Sequence, residues 1–234
     1  MSCGGSNEDI GKGGAIIVFE KQSAGIWDIW AQHLDSSGNK MWGAGGIAVT
    51  TVSGYRRNHK VQKDNNGGAI IAWQDLRNGV DYDIYAQRID GSGNLLWGPA
   101  AKAICTASGD QINAKIESDS ALNGAYIGWQ DTRNSSNDDI YMQQIDSNGT
   151  PKWAPNGIVI SNASGTQSAL DMLSFSGGNE VIITWKDNRN GSDDIYAQKV
   201  GTLGSLQWNP TGVIICNAVY DQINPNICTD ENKG

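Results

Sequence analysis

Apolar and polar residues alternate in short runs along the chain, and this pattern predicts strands rather than helices. The segment 83–89, which reads DIYAQRI, alternates with a period of two and carries the Ile and Tyr that suit a pleated strand. An apolar run from Ala69 to Trp73 precedes it, and a glycine-rich turn at 90–94 follows it. No segment shows a persuasive helical stripe. We therefore predict an all-β fold.

The same succession of runs occurs four times. The turn tryptophans are spaced by 55, 56 and 55 residues, and triplets of Asp, Ile and an aromatic residue keep the same spacing. These tryptophans are Trp42, Trp97, Trp153 and Trp208. Four short strands in such a unit match one blade of a β-propeller. We predict a four-bladed β-propeller with four antiparallel strands per blade, built as a single domain by residues 1–234. Its repeats span approximately 13–66, 67–122, 123–176 and 177–230.

The two ends of the chain predict closure of the ring. Alternating segments at 59–63, 112–118, 168–175 and 223–230 are interpreted as the innermost strands. No blade follows the last of them, and the first repeat lacks a counterpart before Gly13. We therefore expect the C-terminal strand to complete the first blade and close the ring, which removes two exposed sheet edges. A larger ring built from two chains is the less economical alternative.

Two motifs resemble known repeat families. The turn at 35–42, DSSGNKMW, resembles the Asp-box of sialidase-type propellers, with the Asp-to-Gly and Gly-to-Trp gaps each one residue longer. The combination of W-x-D-x-R-N with D-I-Y-A-Q resembles tandem repeats in large secreted or surface proteins of bacteria. This resemblance implies a propeller in an extracellular or cell-surface location. It implies no particular reaction.

The loops that follow the second strand of three repeats carry candidate ligand-binding residues. Asp and Arg side chains there can bond sugar hydroxyls, and nearby aromatic rings can stack on a pyranose. The candidates are Asp75, Arg77, Asp131, Arg133, Asp187, Arg189, Trp27 and Tyr82. The alternative is structural: each Arg pairs with Asp and pins the loop, because a feature repeated in every blade usually serves the blade. The first repeat has FEKQS at 19–23 instead and would lack this site.

Charge and composition limit the classes of partner that the protein is expected to bind. The net charge of −8 and a pI near 4.6 argue against nucleic acid, and no apolar run reaches the length of a membrane span. Loops rich in Asp and Asn make calcium a second option, and no other cofactor is predicted. Cys105 and Cys216 are interpreted as small buried residues. For Cys3 the hypotheses are a disulfide with Cys228 or lipidation.

These observations predict a non-catalytic extracellular recognition module that binds carbohydrate. Catalysis is not predicted, because nothing distinguishes one repeated Asp from its counterparts, whereas an active site usually breaks a repeat. The second hypothesis is a structural or protein-binding unit of a larger cell-surface assembly, and the third is a glycan-acting hydrolase. The expected partner is a carbohydrate or a surface protein, and the chain is expected as a monomer or as part of a larger assembly.

Overall fold

The computed structural model describes residues 13–134, 137–175, 177 and 180–230, which contain fifteen β-strands and no helix. Four antiparallel sheets follow one another along the chain and are called blades 1 to 4. Blade 1 contains β1 (Ala15–Ser23), β2 (Ile26–Leu34) and β3 (Ile47–Ala48). Blade 2 contains β4 (Arg56–Lys63), β5 (Ala69–Asp75), β6 (Asp83–Ile89) and β7 (Lys102–Cys105). Blade 3 contains β8 (Gln111–Asp119), β9 (Gly124–Asp131), β10 (Asp139–Ile145) and β11 (Ile158–Ser161). Blade 4 contains β12 (Gln167–Ser174), β13 (Glu180–Asp187), β14 (Asp194–Gly201) and β15 (Val213–Cys216). The predicted fold class, all-β with four propeller blades, is confirmed.

Consecutive blades pack face to face through buried apolar clusters. Ile29 of blade 1 and Trp73 of blade 2 share one cluster, and Ile70 of blade 2 and Trp129 of blade 3 share the next. Tyr126 of blade 3 belongs to a third cluster, together with residues of blade 4. The apolar runs recognised in the sequence are therefore the middle strands, which have a neighbouring blade on each face in blades 2 and 3 and on one face in blades 1 and 4.

The turn tryptophans bind each blade to the turn of the next one. The indole Nε1 of Trp42 donates to the carbonyl of Gly91 at 3.2 Å. The same bond runs from Trp97 to Ser147 at 3.0 Å and from Trp153 to Thr202 at 2.9 Å. An indole nitrogen is donor only, so this contact satisfies it while the ring packs between blades.

The C-terminal segment differs from the expected strand. Its start resembles that of an innermost strand: Asn224 has φ +56°, as Asn58 and Asn113 have φ +53° and +54° at the equivalent bulges. Gln222 N donates to Asp193 O at 2.6 Å, as Gln111 N does to Tyr82 O. The segment nevertheless forms no ladder, and β1 pairs only with β2 among the described residues. Blade 1 consequently has three strands, and no buried apolar cluster among these residues joins blade 4 to blade 1.

The cysteines are partly as expected. Cys105 is buried, whereas Cys216 is partly exposed and Cys228 is exposed, and all three are free thiols. Cys3 lies outside the described residues, so its lipidation stays a prediction, whereas its hypothesised disulfide partner Cys228 is a free thiol. Within the ranges described above, no helix is long and apolar enough to cross a membrane.

Candidate functional site

The predicted Asp and Arg residues form one internal clamp in each of blades 2 to 4. In blade 3, Asp131 is fully buried and its Oδ2 accepts from Trp129 Nε1 at 2.7 Å and from Arg133 Nη2 at 2.5 Å. The same Arg133 Nη2 donates to the carbonyl of Asn156 at 2.9 Å, just before the outermost strand. Blades 2 and 4 repeat this arrangement with the pairs Asp75 and Arg77, and Asp187 and Arg189. The geometry matches the pinning alternative, since each guanidinium is bound to its own blade.

An aromatic ring and an asparagine complete each clamp. The guanidinium carbons of Arg77, Arg133 and Arg189 lie 3.6, 3.9 and 4.0 Å from the ring centroids of the tyrosines on the adjacent strand. Burial opposes ionisation of Asp75, but the hydrogen bonds from Arg77 and Trp73 hold its pKa below the usual range. Burial, followed by the charges of Asp81 and Asp75, raises the pKa of Asp83 to about 6. The pKa values of these two neighbouring carboxylates are thus shifted in opposite directions.

Trp27 and Tyr82 occupy equivalent positions in blades 1 and 2. Trp27 lies within β2 rather than in a loop, and the guanidinium of Arg57 lies 4.8 Å from its ring centroid. Tyr82 lies in the β5–β6 loop, where its backbone N donates to Asp110 Oδ1 at 2.9 Å. Burial, followed by the neighbouring Tyr55 and the charge of Asp110, raises the pKa of Tyr82, and the cation of Arg57 opposes this shift. Of these two aromatic residues, Trp27 therefore packs against Arg57, whereas Tyr82 is held by its backbone to the loop before blade 3.

A row of polar side chains that the sequence analysis did not identify crosses the innermost strands. Glu20 Oε1 accepts from Asn58 N at 2.7 Å, and Asn58 Nδ2 donates to Gln74 Oε1 at 2.9 Å. Asn113 Nδ2 continues the row to Gln130 Oε1 at 3.1 Å. The row ends at an open cavity of about 450 Å³. Its lining includes Asn113, Lys115, Gln130, Lys186 and Asn224.

Two carboxylates lie on the innermost strands β8 and β12, close to the cavity-lining residue Lys115 but not in the cavity lining themselves. Asp171 of β12 accepts from Lys115 Nζ at 3.1 Å and from the backbone N of Ile227 at 3.2 Å. Glu117 of β8 accepts from neutral donors only, Gln62 Nε2 at 3.2 Å and the Ser174 hydroxyl at 3.4 Å. Burial raises the pKa of Glu117. One carboxylate therefore has a cation as partner, while its neighbour is in a site that favours the protonated form.

Departure from the repeat is the sequence signal that marks these positions. The residues equivalent to Asp171 are Lys60, Lys115 and Asn226, and those equivalent to Glu117 are Gln62, Leu173 and Cys228. A third position of the repeat is occupied by Glu20, Gln74, Gln130 and Lys186. The clamps repeat in three blades, whereas these positions, here called the axial residues, are not conserved among the blades: Lys occurs twice at the first and Gln twice at the third, and the other members differ. No group of three or more His, Cys, Asp or Glu side chains suited to a metal ion occurs among the described residues.

The comparisons with known proteins place the chain by its fold alone. No protein-family model and no curated protein matches it. The endo-arabinase from Bacteroides thetaiotaomicron is 14% identical with a TM-score of 0.48, and the match covers 81% of this chain and 73% of that one. The catalytic domain of an alpha-L-arabinofuranosidase from Coprinopsis cinerea is 10% identical with a TM-score of 0.47, over 86% of this chain and 64% of that one. TolB from Acinetobacter baumannii is 17% identical with a TM-score of 0.38, over 82% and 39%.

One prediction is corrected by these matches. The sequence analysis expected a chain without enzymatic activity, because no repeated Asp is distinct from its counterparts. The matched structures include an endo-arabinase and arabinofuranosidases, which overturns that expectation. Its physical premise also fails, because Asp171 and Glu117 do differ from their repeat equivalents.

Proposed function

We propose that this protein acts on glycans as a glycoside hydrolase, with the sugar in the axial cavity and Glu117 and Asp171 as its two carboxyl groups. The observation that carries the proposal is the contrast between these neighbours on β8 and β12. Asp171 is bonded to a lysine, whereas Glu117 has only neutral donors and a raised pKa. Glycoside hydrolysis uses such a pair, one carboxyl that keeps its proton and one that is ionised.

The proposed reaction assigns one proton transfer to each carboxyl group. Glu117 donates its proton to the oxygen of the leaving sugar as the glycosidic bond breaks. Asp171 accepts a proton from the water whose oxygen bonds to the anomeric carbon. Lys115 and the amide of Ile227 orient Asp171 for this step.

The cavity suits a ligand that is rich in hydroxyl groups. The amides of Asn113, Gln130 and Asn224 offer both donors and acceptors, and the opening is broad enough for sugar residues. Trp27 and Tyr82 are proposed as stacking surfaces for further sugar units. An extracellular or cell-surface location, which the resemblance to secreted repeats implies, fits a polymeric substrate.

Release of reducing sugar from a panel of polysaccharides tests the proposal. The panel includes arabinan and galactan, and each assay runs with calcium and with a chelator. We expect Asp171→Asn and Glu117→Gln each to lower the rate by about 10² to 10⁴-fold. Glu180→Gln is the matched control, because Glu180 pairs with Lys199 far from the cavity, and it should keep full activity. Full activity in both axial variants, or no release by the wild type from any polysaccharide, contradicts the proposal.

A further inference from the structure

Blade 1 exposes a face that is buried in every other blade. Ile17 is 47% exposed, whereas its equivalents Ile71, Ile127 and Ile183 are 0% exposed. Each of those three lies in the cluster that its blade shares with the preceding blade. Ile17 therefore marks a face shaped for a preceding blade, and no described part of the chain covers it.

Blade 4 exposes the opposite face. Ile215 is 60% exposed, whereas its equivalents Ile104 and Ile160 are 2% and 0% exposed and pack against the following blade. A groove of about 330 Å³ crosses this face, and its walls include Ile182, Ile195 and Ile227. This face is shaped for a following blade.

We propose that these two faces are the halves of one blade-to-blade interface, which forms between two copies of this chain. Blade 4 of one copy packs on blade 1 of the next. The occupant is a second copy because the chain itself builds this interface three times, between blades 1 and 2, 2 and 3, and 3 and 4. The contact is heterologous, since each copy contributes a different face, and it leads to rings or filaments of copies.

The internal repeats specify the contacts of this interface. Within blade 2, Lys60 is opposite Ala72 and Val61 is opposite Ile71. The equivalent register places Asn226 opposite Val18 and Ile227 opposite Ile17 of the next copy. The segment 222–228 thereby becomes the innermost strand of that copy's blade 1.

The turn tryptophans specify a second contact. The indoles of Trp42, Trp97 and Trp153 each donate to a carbonyl in the turn of the following blade. Trp208 is the fourth of the series, and its indole has no hydrogen bond to the described residues. By the same spacing its acceptor is the carbonyl of Ser36 in the next copy.

Complementation between two single variants tests the proposal by sedimentation velocity. Ile17→Lys places a charge on the blade 1 face and leaves the blade 4 face intact, and Ile215→Lys does the reverse. We expect the wild type to form larger species as its concentration rises and each variant alone to stay monomeric. An equal mixture should form dimers and nothing larger, because only one productive contact remains. Val80→Lys, in an exposed loop, is the control and should assemble as the wild type does.

A cross-link separates assembly from closure within one chain. Ile17→Cys with Ile227→Cys, in a Cys228→Ser background, should give disulfide-linked multimers on a non-reducing gel. A disulfide within a single chain would show that the ring closes on itself and would overturn the proposal. A wild type that is monomeric at every concentration, or a variant mixture that stays monomeric, would overturn it as well. Circular dichroism confirms that each variant is folded.

Discussion

Blades 1 and 3 are copies of the same repeat, yet their middle strands have opposite environments. Every residue of β9 in blade 3 is buried, whereas β1 in blade 1 is exposed or half-buried along its whole length. Both strands are without polar or charged side chains, apart from the Tyr126 hydroxyl, up to the aligned aromatic residues Phe19 and Trp129. The difference comes from the neighbouring strands and blades. β9 pairs with an innermost strand and has a blade on each face, whereas β1 lacks an innermost strand and has a blade on one face only. Burial in this fold is therefore a property of adjacent blades rather than of the strand itself.

The two blades also anchor their carboxylates differently. Blade 3 has the clamp of Trp129, Asp131 and Arg133, whereas blade 1 has Phe19 and Lys21 at the first two positions. Lys21 Nζ lies 3.6 Å from the ring centroid of Trp30 instead. Asp28 of blade 1 is bonded to Arg56, which also bonds to Asp75 of blade 2. Blade 1 is thus held to its neighbour through an arginine that comes from the neighbour.

The largest effect is expected from removing one clamp. Arg133→Ala leaves Asp131 as a buried charge without its cation, so the free energy of unfolding should fall by about 3 kcal/mol. Lys21→Ala, the control in blade 1, should cost less than about 1 kcal/mol because it loses only an exposed cation–π contact. Urea unfolding measures both. A loss of sugar binding in Arg133→Ala with unchanged stability would show that the arginine contacts ligand instead of pinning the loop.

A smaller effect concerns the second carboxylate of blade 2. Burial raises the pKa of Asp83 to about 6 from 3.8, so the folded state binds a proton more tightly than the unfolded chain. The contribution of the protonated Asp83 to the free energy of unfolding is complete below the unfolded pKa of 3.8, and it is lost as the pH rises through the folded pKa of about 6. Asp83→Asn removes this loss and should be more stable than the wild type by about 1 kcal/mol above about pH 6.

The difference between Asp83→Asn and the wild type should vanish toward about pH 4, which unfolding at a series of pH values measures. Asp28→Asn in blade 1 is the matched control. It breaks the bond to Arg56 and should lower stability at neutral pH. Asp83→Asn that follows the wild type at every pH would contradict the assignment of a raised pKa.

The sequence predicted the features that repeat and missed those that depart from the repeat. Strands β5, β6, β9 and β10 follow directly from apolar runs of fixed spacing. The start of β4 was missed because Arg56, Arg57 and Asn58 are polar and contain a bulge, so period-two alternation begins only at His59. The clamps were predicted as one alternative, since Asp and Arg recur together.

The axial site was not predicted, because its members come from different blades and have different chemical types. Only the closeness of β4, β8 and β12 brings Gln62, Glu117 and Ser174 together. The open faces of blades 1 and 4 were missed for a related reason. Their sequences match those of buried faces, and exposure depends on a neighbour that the pattern of a single strand does not reveal.

Hydrogen exchange at β1 tests most directly the claim that blade 1 takes its innermost strand from a second copy. One edge of β1 has no described partner, so every second backbone amide should exchange rapidly in a dilute sample. The same amides should become protected as concentration rises and copies assemble, while β9 stays protected throughout. Equal protection of β1 at low and high concentration would contradict the claim.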